Sequence, residues 1–396
     1  MPRRFFSPEV RLQRPGLTGV RALAAFWVLA FHINGYMAPE RLGIGFAALS
    51  IDLTPLVTIG WVGVDVFFVL SGFLLTVHVI ERLGRESFAH VYPSYLRDRI
   101  LRVVPAYWAQ IAILFALALA ATGSAPTWAS TVPMHLFLLQ NFWMGPHSAI
   151  NGVYWTLPVE FGFYLVLPFV AAWAVRAGAQ MSVAARVTGL AVAIAIAWRA
   201  FAVESYGPAG IPTVFWASAM HLPGAADQFG IGVAAALLFL SRGAPDATVD
   251  PKWSRPSNGL VLAGIGGLIA AVYVLDAHVA RFWTHSFLFY TWHSFVALAV
   301  AALVMGVAAR GALARAMFEN RLVVWLGTIS YSVYLWHPIV AEKLAGAVNT
   351  ASQGRWGFAL VVVPAVVAVS AASYYLVERP FLRRSRGPSP AERTLQ

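Results

Sequence analysis

Residues 16–38, GLTGVRALAAFWVLAFHINGYMA, decide the class of fold. The stretch exceeds the length of about 20 apolar residues that crosses the hydrocarbon core of a bilayer, and Arg21 is its one fixed charge. Similar stretches recur, because 59% of the 396 residues are hydrophobic and only 11% are charged. A soluble domain carries about 25% charged residues. The sequence therefore predicts an all-α, polytopic bundle of membrane helices.

Ten stretches of this kind occur along the chain, and we predict a transmembrane helix from each. They are 16–38, 58–80, 104–122, 153–175, 185–203, 224–241, 258–276, 284–307, 322–342 and 356–377. The first is too long for a cleavable signal peptide, so we expect it to stay in the protein. Cysteine is absent, which excludes disulfides and thiolate metal sites.

The distribution of Arg and Lys predicts the orientation in the membrane. With the N-terminus inside, 22 of the 28 basic residues fall in cytoplasmic segments. We therefore expect a cytoplasmic basic segment 1–15, a membrane domain 16–384 and a disordered cytoplasmic tail 385–396. The uncharged connection 123–152 should lie outside. The net charge of +11 then reflects membrane topology, and we predict no nucleic-acid partner.

Ionisable residues inside apolar stretches are costly and therefore mark candidate functional positions. His32, Asp65, Glu160 and His337 lie near the expected outer ends of four stretches. A rise of 1.5 Å per residue places them in one layer, roughly 6–10 Å deep. Arg21 precedes His32 by eleven residues, which is about 16 Å along the same helix face. The layer indicates a single site, although spacing does not fix where the side chains point.

Simpler interpretations remain open for the same residues. An intramembrane histidine often makes only an interhelical hydrogen bond, which is an alternative for His337 and the favoured interpretation for His293. Asp65 can pair with His32 and fix its orientation, which is itself a supporting role in catalysis. Glu160 can bond nearby backbone groups.

The segment YLRDRILRVVPAYW, residues 95–108, brings basic residues to the cytoplasmic side of the third stretch. Arg99 and Arg102 are three positions apart, so a helix would present both on one face. Guanidinium groups are well suited to bidentate contacts with phosphate. Plain positive-inside bias is the alternative explanation.

Seven motifs follow one another in the chain: GVRALAAFWVLAFH (19–32), GVDVFFVLSGFLLT (63–76), RILRVVPAYW (99–108), HLFLLQNFW (135–143), YWTLPVEFGFYLVLP (154–168), SYSVYLWHPIV (330–340) and YLVERPF (375–381). In this order they resemble the membrane acyltransferase-3 family of sugar O-acyltransferases. The resemblance covers residues 15–384. It implies transfer of an acyl group, with acetyl favoured, from acyl-CoA to a glycan hydroxyl.

The resemblance also assigns candidate roles. The family's pair of Arg and His separated by ten residues falls on Arg21 and His32. Its Arg-x-x-Arg motif falls on Arg99 and Arg102, and the glutamate of its Ser-Val-Glu motif falls on Glu160, here in Pro-Val-Glu. The three arginines would then hold the donor phosphates. The histidine would act as general base on the acceptor hydroxyl, or would carry the acyl group itself.

The remaining expectations follow from this mechanism. Asp65 or Glu160 would orient the imidazole, and both are candidate catalytic residues together with His32. Candidates for contact with the acceptor or with these groups are Trp155, Tyr164, Tyr334 and His337. An aromatic belt is the alternative for Trp155. We expect no metal ion and no bound cofactor, with acyl-CoA as a substrate.

The donor inside and the histidine towards the outside predict an acceptor at the outer face of a bacterial cytoplasmic (inner) membrane. It would be a glycan, a glycolipid or a polyprenyl-linked sugar, surrounded by membrane lipids. Succinyl transfer is an open variant. The alternative class is a secondary transporter or glycan exporter, although we find no internal repeat of the kind common in transporters.

Overall fold

The computed structural model describes residues 15–36, 41–46, 49–143, 150–178, 181–207, 210–242, 251–284, 286–347 and 350–385. Within these residues the protein is a bundle of α-helices with one short β-hairpin. Nearly all of the expected N-terminal segment 1–15 and the expected tail 385–396 lie outside the described residues.

The helices, in chain order, are α1 Pro15–Gly35, α2 Thr54–Thr58, α3 Gly63–Leu83, α4 Phe88–Thr122, α5 Val132–Leu136, α6 Gln140–Trp143, α7 Thr156–Arg176, α8 Met181–Tyr206, α9 Ile211–Ala219, α10 Ala226–Ser241, α11 Pro251–Ala277, α12 Val279–Trp283, α13 Phe287–Ala308, α14 Ala312–Phe318, α15 Arg321–Thr328, α16 Ser330–Ala347, α17 Thr350–Ser373 and α18 Arg379–Ser385. A π-helical turn, Tyr374–Glu378, joins the last two. The hairpin pairs β1 Gly43–Phe46 with β2 Leu49–Asp52, antiparallel, and was not predicted.

Nine helical stretches in the described part of the chain are long and apolar enough to cross a membrane. They coincide with nine of the ten predicted stretches, which confirms a multi-pass membrane protein. The exception is 322–342, because α15 ends at Thr328 and α16 begins at Ser330. His337, Glu342 and Lys343 make α16 more polar than the spanning helices. This helix packs against α1 and α17 inside the bundle.

The centre of the bundle is the contact between α3 and α10, the two most buried spanning stretches. A Cβ atom added to Gly72 would overlap the carbonyl oxygen of Phe229, and one added to Gly232 would overlap that of Val69. Lipid tails are as apolar as leucine, so membrane helices associate through close packing of small residues. The two glycines therefore determine how closely α3 and α10 approach.

A buried ion pair connects α8, α10 and α13. Arg199 Nη2 lies 2.9 Å from Asp227 Oδ1, and the guanidinium also donates to the carbonyl oxygens of Tyr290 and Gly224, at 2.6 and 2.9 Å. Ser294 Oγ donates to the second carboxylate oxygen of Asp227 at 2.7 Å. A buried pair is stable when further hydrogen bonds satisfy its remaining polar atoms, as they do here. We therefore assign Arg199 and Asp227 a structural role.

Candidate active site

A cavity of about 780 Å³ lies between α1, α3, α9, α11 and α13. Its lining includes four buried or half-buried ionisable groups: His32 of α1, Asp65 of α3, Arg199 of α8 and His293 of α13. Its walls are rich in aromatic side chains, which include Trp61, Trp155, Trp216, Trp283, Phe68 and Phe215. We call this space the aromatic cavity. Its size and its few convergent polar groups are typical of a site for a small molecule or part of a larger one.

The hydrogen bonds of His32 define which of its ring nitrogens is basic. His337 Nδ1 lies 3.0 Å from the carbonyl oxygen of Val333, which only accepts, so Nδ1 donates and Nε2 of the neutral ring is an acceptor. His32 Nδ1 lies 3.2 Å from this Nε2 and 2.9 Å from the carbonyl oxygen of Val28. Both partners accept, so His32 carries its proton on Nδ1. Nε2 of the neutral His32 is then unprotonated, and it makes no hydrogen bond within the described residues.

Asp65 pairs with His293 and not with His32. The Oδ1 atom of Asp65 lies 2.7 Å from Nδ1 of His293, and the carboxylate is almost fully buried. The proposed pairing of Asp65 with His32 is therefore wrong in geometry, since His337 and the Val28 carbonyl occupy the Nδ1 side of His32. His293 contacts the ring of Trp61, with centroids 5.6 Å apart.

A second, smaller cavity of about 90 Å³ contains the predicted arginines. Arg21 of α1 and Arg99 and Arg102 of α4 line it together with Glu160 and Tyr164 of α7. The Nε atoms of Arg21 and Arg99 are buried and have no hydrogen-bond partner among the described residues. We call this space the arginine cavity. Arg99 and Arg102 lie well inside α4, which begins at Phe88, and not in a segment before the helix.

The arginine cavity also explains the position of Glu160. Ser71 Oγ donates to its Oε1 at 2.9 Å, and Tyr164, one helical turn further along α7, lines the same cavity. Glu160 contacts Ser71, which lies six residues or about 9 Å beyond Asp65 along α3, so the prediction that Glu160 shares one layer with His32 and Asp65 is wrong. The prediction counted depth along each stretch separately, and such a count does not fix how far one helix is shifted along its axis relative to another.

The two cavities are close together, because on two helices residues about one turn apart line one cavity and the other. On α3, Phe68 lines the aromatic cavity and Ser71 lines the arginine cavity. On α16, Tyr334 lines the former and Tyr331 the latter. Three residues correspond to a rise of about 4.5 Å. A long ligand that follows this direction would have one end among the arginines and the other beside His32.

The other predicted contact residues divide between the cavities. Trp155 and Tyr334 line the aromatic cavity, and Tyr164 lines the arginine cavity. The Tyr334 hydroxyl is 2.9 Å from Thr156 Oγ1 and donates to the carbonyl oxygen of Val153 at 3.1 Å. His337 is fully buried behind His32 and lines neither cavity, so its contact is with the imidazole.

Two functional candidates were missed in the sequence. His293 was interpreted as structural, yet it lines the aromatic cavity. Glu378 is 1% exposed and lies 3.8 Å from Arg102, from its Oε2 to Nη1, while Ser332 donates to its other oxygen. The sequence signal for Glu378 is its place in the motif YLVERPF, directly before Arg379. No local pattern distinguished His293.

Comparison with known proteins shows which sequences this chain is similar to. A family model described as an acyltransferase domain, of the acyltransferase-3 type, matches residues 14–376. The acyltransferase MdmB of Streptomyces mycarofaciens is 26% identical over 95% of this chain and 93% of that protein. The exopolysaccharide production protein ExoZ of Rhizobium meliloti is 28% identical over 83% of this chain and 92% of that protein.

The peptidoglycan O-acetyltransferase OatA of Listeria monocytogenes is 23% identical over 92% of this chain but only 55% of that protein. The chain spans about half the length of the peptidoglycan-modifying relatives that it matches. No solved structure matches the chain.

Proposed function

Because the chain belongs to the acyltransferase-3 family, we propose that it transfers an acyl group, with acetyl favoured, from cytoplasmic acyl-CoA to a glycan hydroxyl. The acceptor would be a cell-envelope or secreted glycan, or a glycosylated lipid or metabolite. The protein would lie in the bacterial cytoplasmic membrane with both ends inside, so that donor and acceptor enter from opposite faces. Relatives named for peptidoglycan and for exopolysaccharide support a polymer or its lipid-linked precursor as acceptor.

The arginine cavity supports binding of the donor phosphates. Three guanidinium groups and one carboxylate, that of Glu160, line it, and Glu378, which does not line it, pairs with Arg102. The cavity therefore has an excess of positive charge. Buried donors without a partner are costly, and an anion would satisfy the Nε atoms of Arg21 and Arg99. Arginine binds phosphate oxygens with short, charge-assisted hydrogen bonds.

The aromatic cavity supports binding of the acceptor. Trp61, Trp155, Trp216 and Trp283 offer flat apolar faces, against which the C–H face of a sugar ring can pack. The imidazoles, the Asp65 carboxylate and Gln228 are among the polar groups that would orient its hydroxyls. The volume of about 780 Å³ accommodates one or two sugar residues and the end of the donor.

His32 is the group that would meet both substrates. Its Nε2 carries the free electron pair, while its Nδ1 is fixed by Val28 and His337. A fixed imidazole with a free Nε2 can take the proton of an attacking hydroxyl or can accept the acyl group itself. Either role makes His32 essential for transfer and leaves the phosphates, about 16 Å away at Arg21, unaffected.

One observation supports the proposal most directly: the single helix α1 contributes Arg21 to the arginine cavity and the free Nε2 of His32 to the aromatic cavity. The test is a strain that lacks the gene, complemented with the wild type or with His32→Ala. We expect surface glycan of the complemented wild type to contain alkali-labile acyl esters and that of the His32→Ala strain to lack them. Purified His32→Ala protein should bind acetyl-CoA with near wild-type affinity.

The exposed His90 provides a matched control, because it lies on α4 and lines neither cavity. His90→Ala should restore the esters fully. Normal ester content in the His32→Ala strain would contradict the proposal, as would a wild-type protein that does not bind acetyl-CoA.

A further inference from the structure

The aromatic cavity contains two imidazoles with free Nε2 atoms, and their Nδ1 partners differ in charge. His32 Nδ1 faces two neutral acceptors, the carbonyl of Val28 and the Nε2 atom of His337. His293 Nδ1 lies 2.7 Å from the carboxylate of Asp65. No hydrogen bond to Nε2 of His293 occurs within the part of the chain that the structure describes. Both side chains line the same space from different helices.

We infer that the two histidines divide the reaction: His32 carries the acyl group, and His293, oriented by Asp65, is the base that deprotonates the acceptor hydroxyl. The inference rests on the proposed function and adds a second catalytic residue to it. A carboxylate next to an imidazole stabilises the imidazolium that forms when the ring takes a proton. Neutral acceptors orient a ring without this stabilisation, so His32 is better suited to attack as a nucleophile than to hold a proton.

The positions of the two rings fit this order. His32 lies on α1, which also contributes Arg21 to the arginine cavity, so the donor reaches it directly. His293 lies on α13, and no residue of α13 lines the arginine cavity. The acyl group would therefore meet His32 first. The ring of Trp61, next to His293, would place the sugar hydroxyl between the two histidines.

The first step forms an acyl-histidine. The electron pair of His32 Nε2 attacks the thioester carbonyl, the C–N bond forms and the C–S bond breaks. The thiolate of CoA leaves towards the arginine cavity, and the acylated ring, still protonated on Nδ1, carries the compensating positive charge. His337 and the Val28 carbonyl hold this proton in place.

The second step regenerates the enzyme. The acceptor oxygen attacks the acyl carbon, the C–O ester bond forms, and the electron pair of the C–N bond returns to His32. The hydroxyl proton moves to Nε2 of His293, and Asp65 stabilises the resulting cation. This proton leaves to water and balances the one that the CoA thiolate takes up. The products are the ester and CoA.

Two measurements separate the steps. Exchange of labelled CoA into acetyl-CoA by the purified, full-length protein reports the first step alone and requires no acceptor. The ester content of surface glycan in complemented cells reports both steps. We expect His293→Ala and His293→Gln to retain exchange within a few-fold and to lose ester formation by about 100-fold or more. Asp65→Asn should follow the same pattern with a smaller loss, and His32→Ala should abolish both activities.

Controls distinguish this pattern from misfolding. His293→Gln keeps an N–H donor for Asp65, so it should elute as a monodisperse protein even if the alanine variant does not. His278→Ala, which replaces an exposed histidine between α11 and α12, should retain both activities. Near wild-type ester formation in His293→Gln would overturn the inference, as would an equal loss of exchange. Esters without exchange in the wild type would remove the carrier role and leave the proposed function intact.

Discussion

Arg99 and Arg102 line the same cavity, but their surroundings predict different consequences of replacement. Arg102 lies 3.8 Å from the buried carboxylate of Glu378. Arg99 has no such ion pair among the described residues, and its Nε atom is buried without a partner. We therefore predict that Arg99→Ala mainly weakens donor binding, whereas Arg102→Ala mainly lowers the free energy of unfolding.

The magnitudes follow from these contacts. A hydrogen bond to a charged group contributes about 1.5–3 kcal/mol, so Arg99→Ala should raise the Kd for acetyl-CoA roughly 10- to 150-fold. The charge of Arg102 is partly neutralised by its ion pair with Glu378, so Arg102→Ala should raise the Kd for acetyl-CoA by about tenfold at most. Removal of one partner from a buried ion pair destabilises by about 3–5 kcal/mol. Ser332 still donates to Glu378 in this variant, so Arg102→Ala should lower the free energy of unfolding by an amount near the lower limit of this range.

The assay measures acetyl-CoA affinity by calorimetry and stability by thermal unfolding, both on protein in detergent. Addition of Glu378→Gln to Arg102→Ala should restore most of the lost stability, because a neutral amide no longer requires a cation. Arg97→Ala is the matched control, since Arg97 is exposed on the same helix and lines neither cavity. The reasoning is refuted if affinity is unchanged in Arg99→Ala, or if Arg102→Ala binds more weakly than Arg99→Ala.

Three further predictions concern orientation of the imidazole, helix packing and topology. His337→Ala should lower the transfer rate by about tenfold or less at unchanged donor affinity, because the Val28 carbonyl still accepts the Nδ1 proton; an inactive variant in rate assays would contradict this. Gly72→Val should lower the midpoint of thermal unfolding and the yield of monodisperse protein, because any Cβ there meets the backbone of α10; wild-type stability would contradict the packing argument. A reporter fused after Trp143 should behave as periplasmic and one fused after Arg255 as cytoplasmic; the opposite result at either position would reverse the proposed sidedness.

Much of the fold follows from composition and length, because the bilayer imposes helices of a minimum apolar length. The stretch 322–342 was the exception. It meets the length rule, but its hydrophobic residues alternate with Ser330, Ser332, His337 and other polar groups. The structure divides it into α15 and α16, and the polar residues Ser330, Ser332 and His337 are buried in α16, where protein surrounds them.

The structure places most of the candidate site residues in the two cavities, but their contacts differ from those that the sequence predicted. The motifs selected all three arginines, and the structure places these in one cavity. The partner of each carboxylate was not accessible to pattern analysis. Asp65 pairs with a histidine 228 positions later, and Glu160 with a serine 89 positions earlier. Helix periodicity determines which residues share a face, but not which faces of distant helices meet.

In the proposed mechanism, the separation of Arg21 and His32 along α1 limits the kind of donor that the site can use. Arg21 and His32 are about 16 Å apart on one continuous helix, and their cavities are adjacent. In a compact donor such as an acyl phosphate, one oxygen joins the phosphorus to the acyl carbon. Such a donor cannot place its phosphate at Arg21 and its carbonyl at His32 at the same time. A donor with a long arm between its phosphates and its thioester can. Acyl-CoA has this form, and binding of its phosphates by the arginines would hold the thioester near His32 without any contact at the reacting atoms. The binding energy of a remote group can in this way support the chemical step.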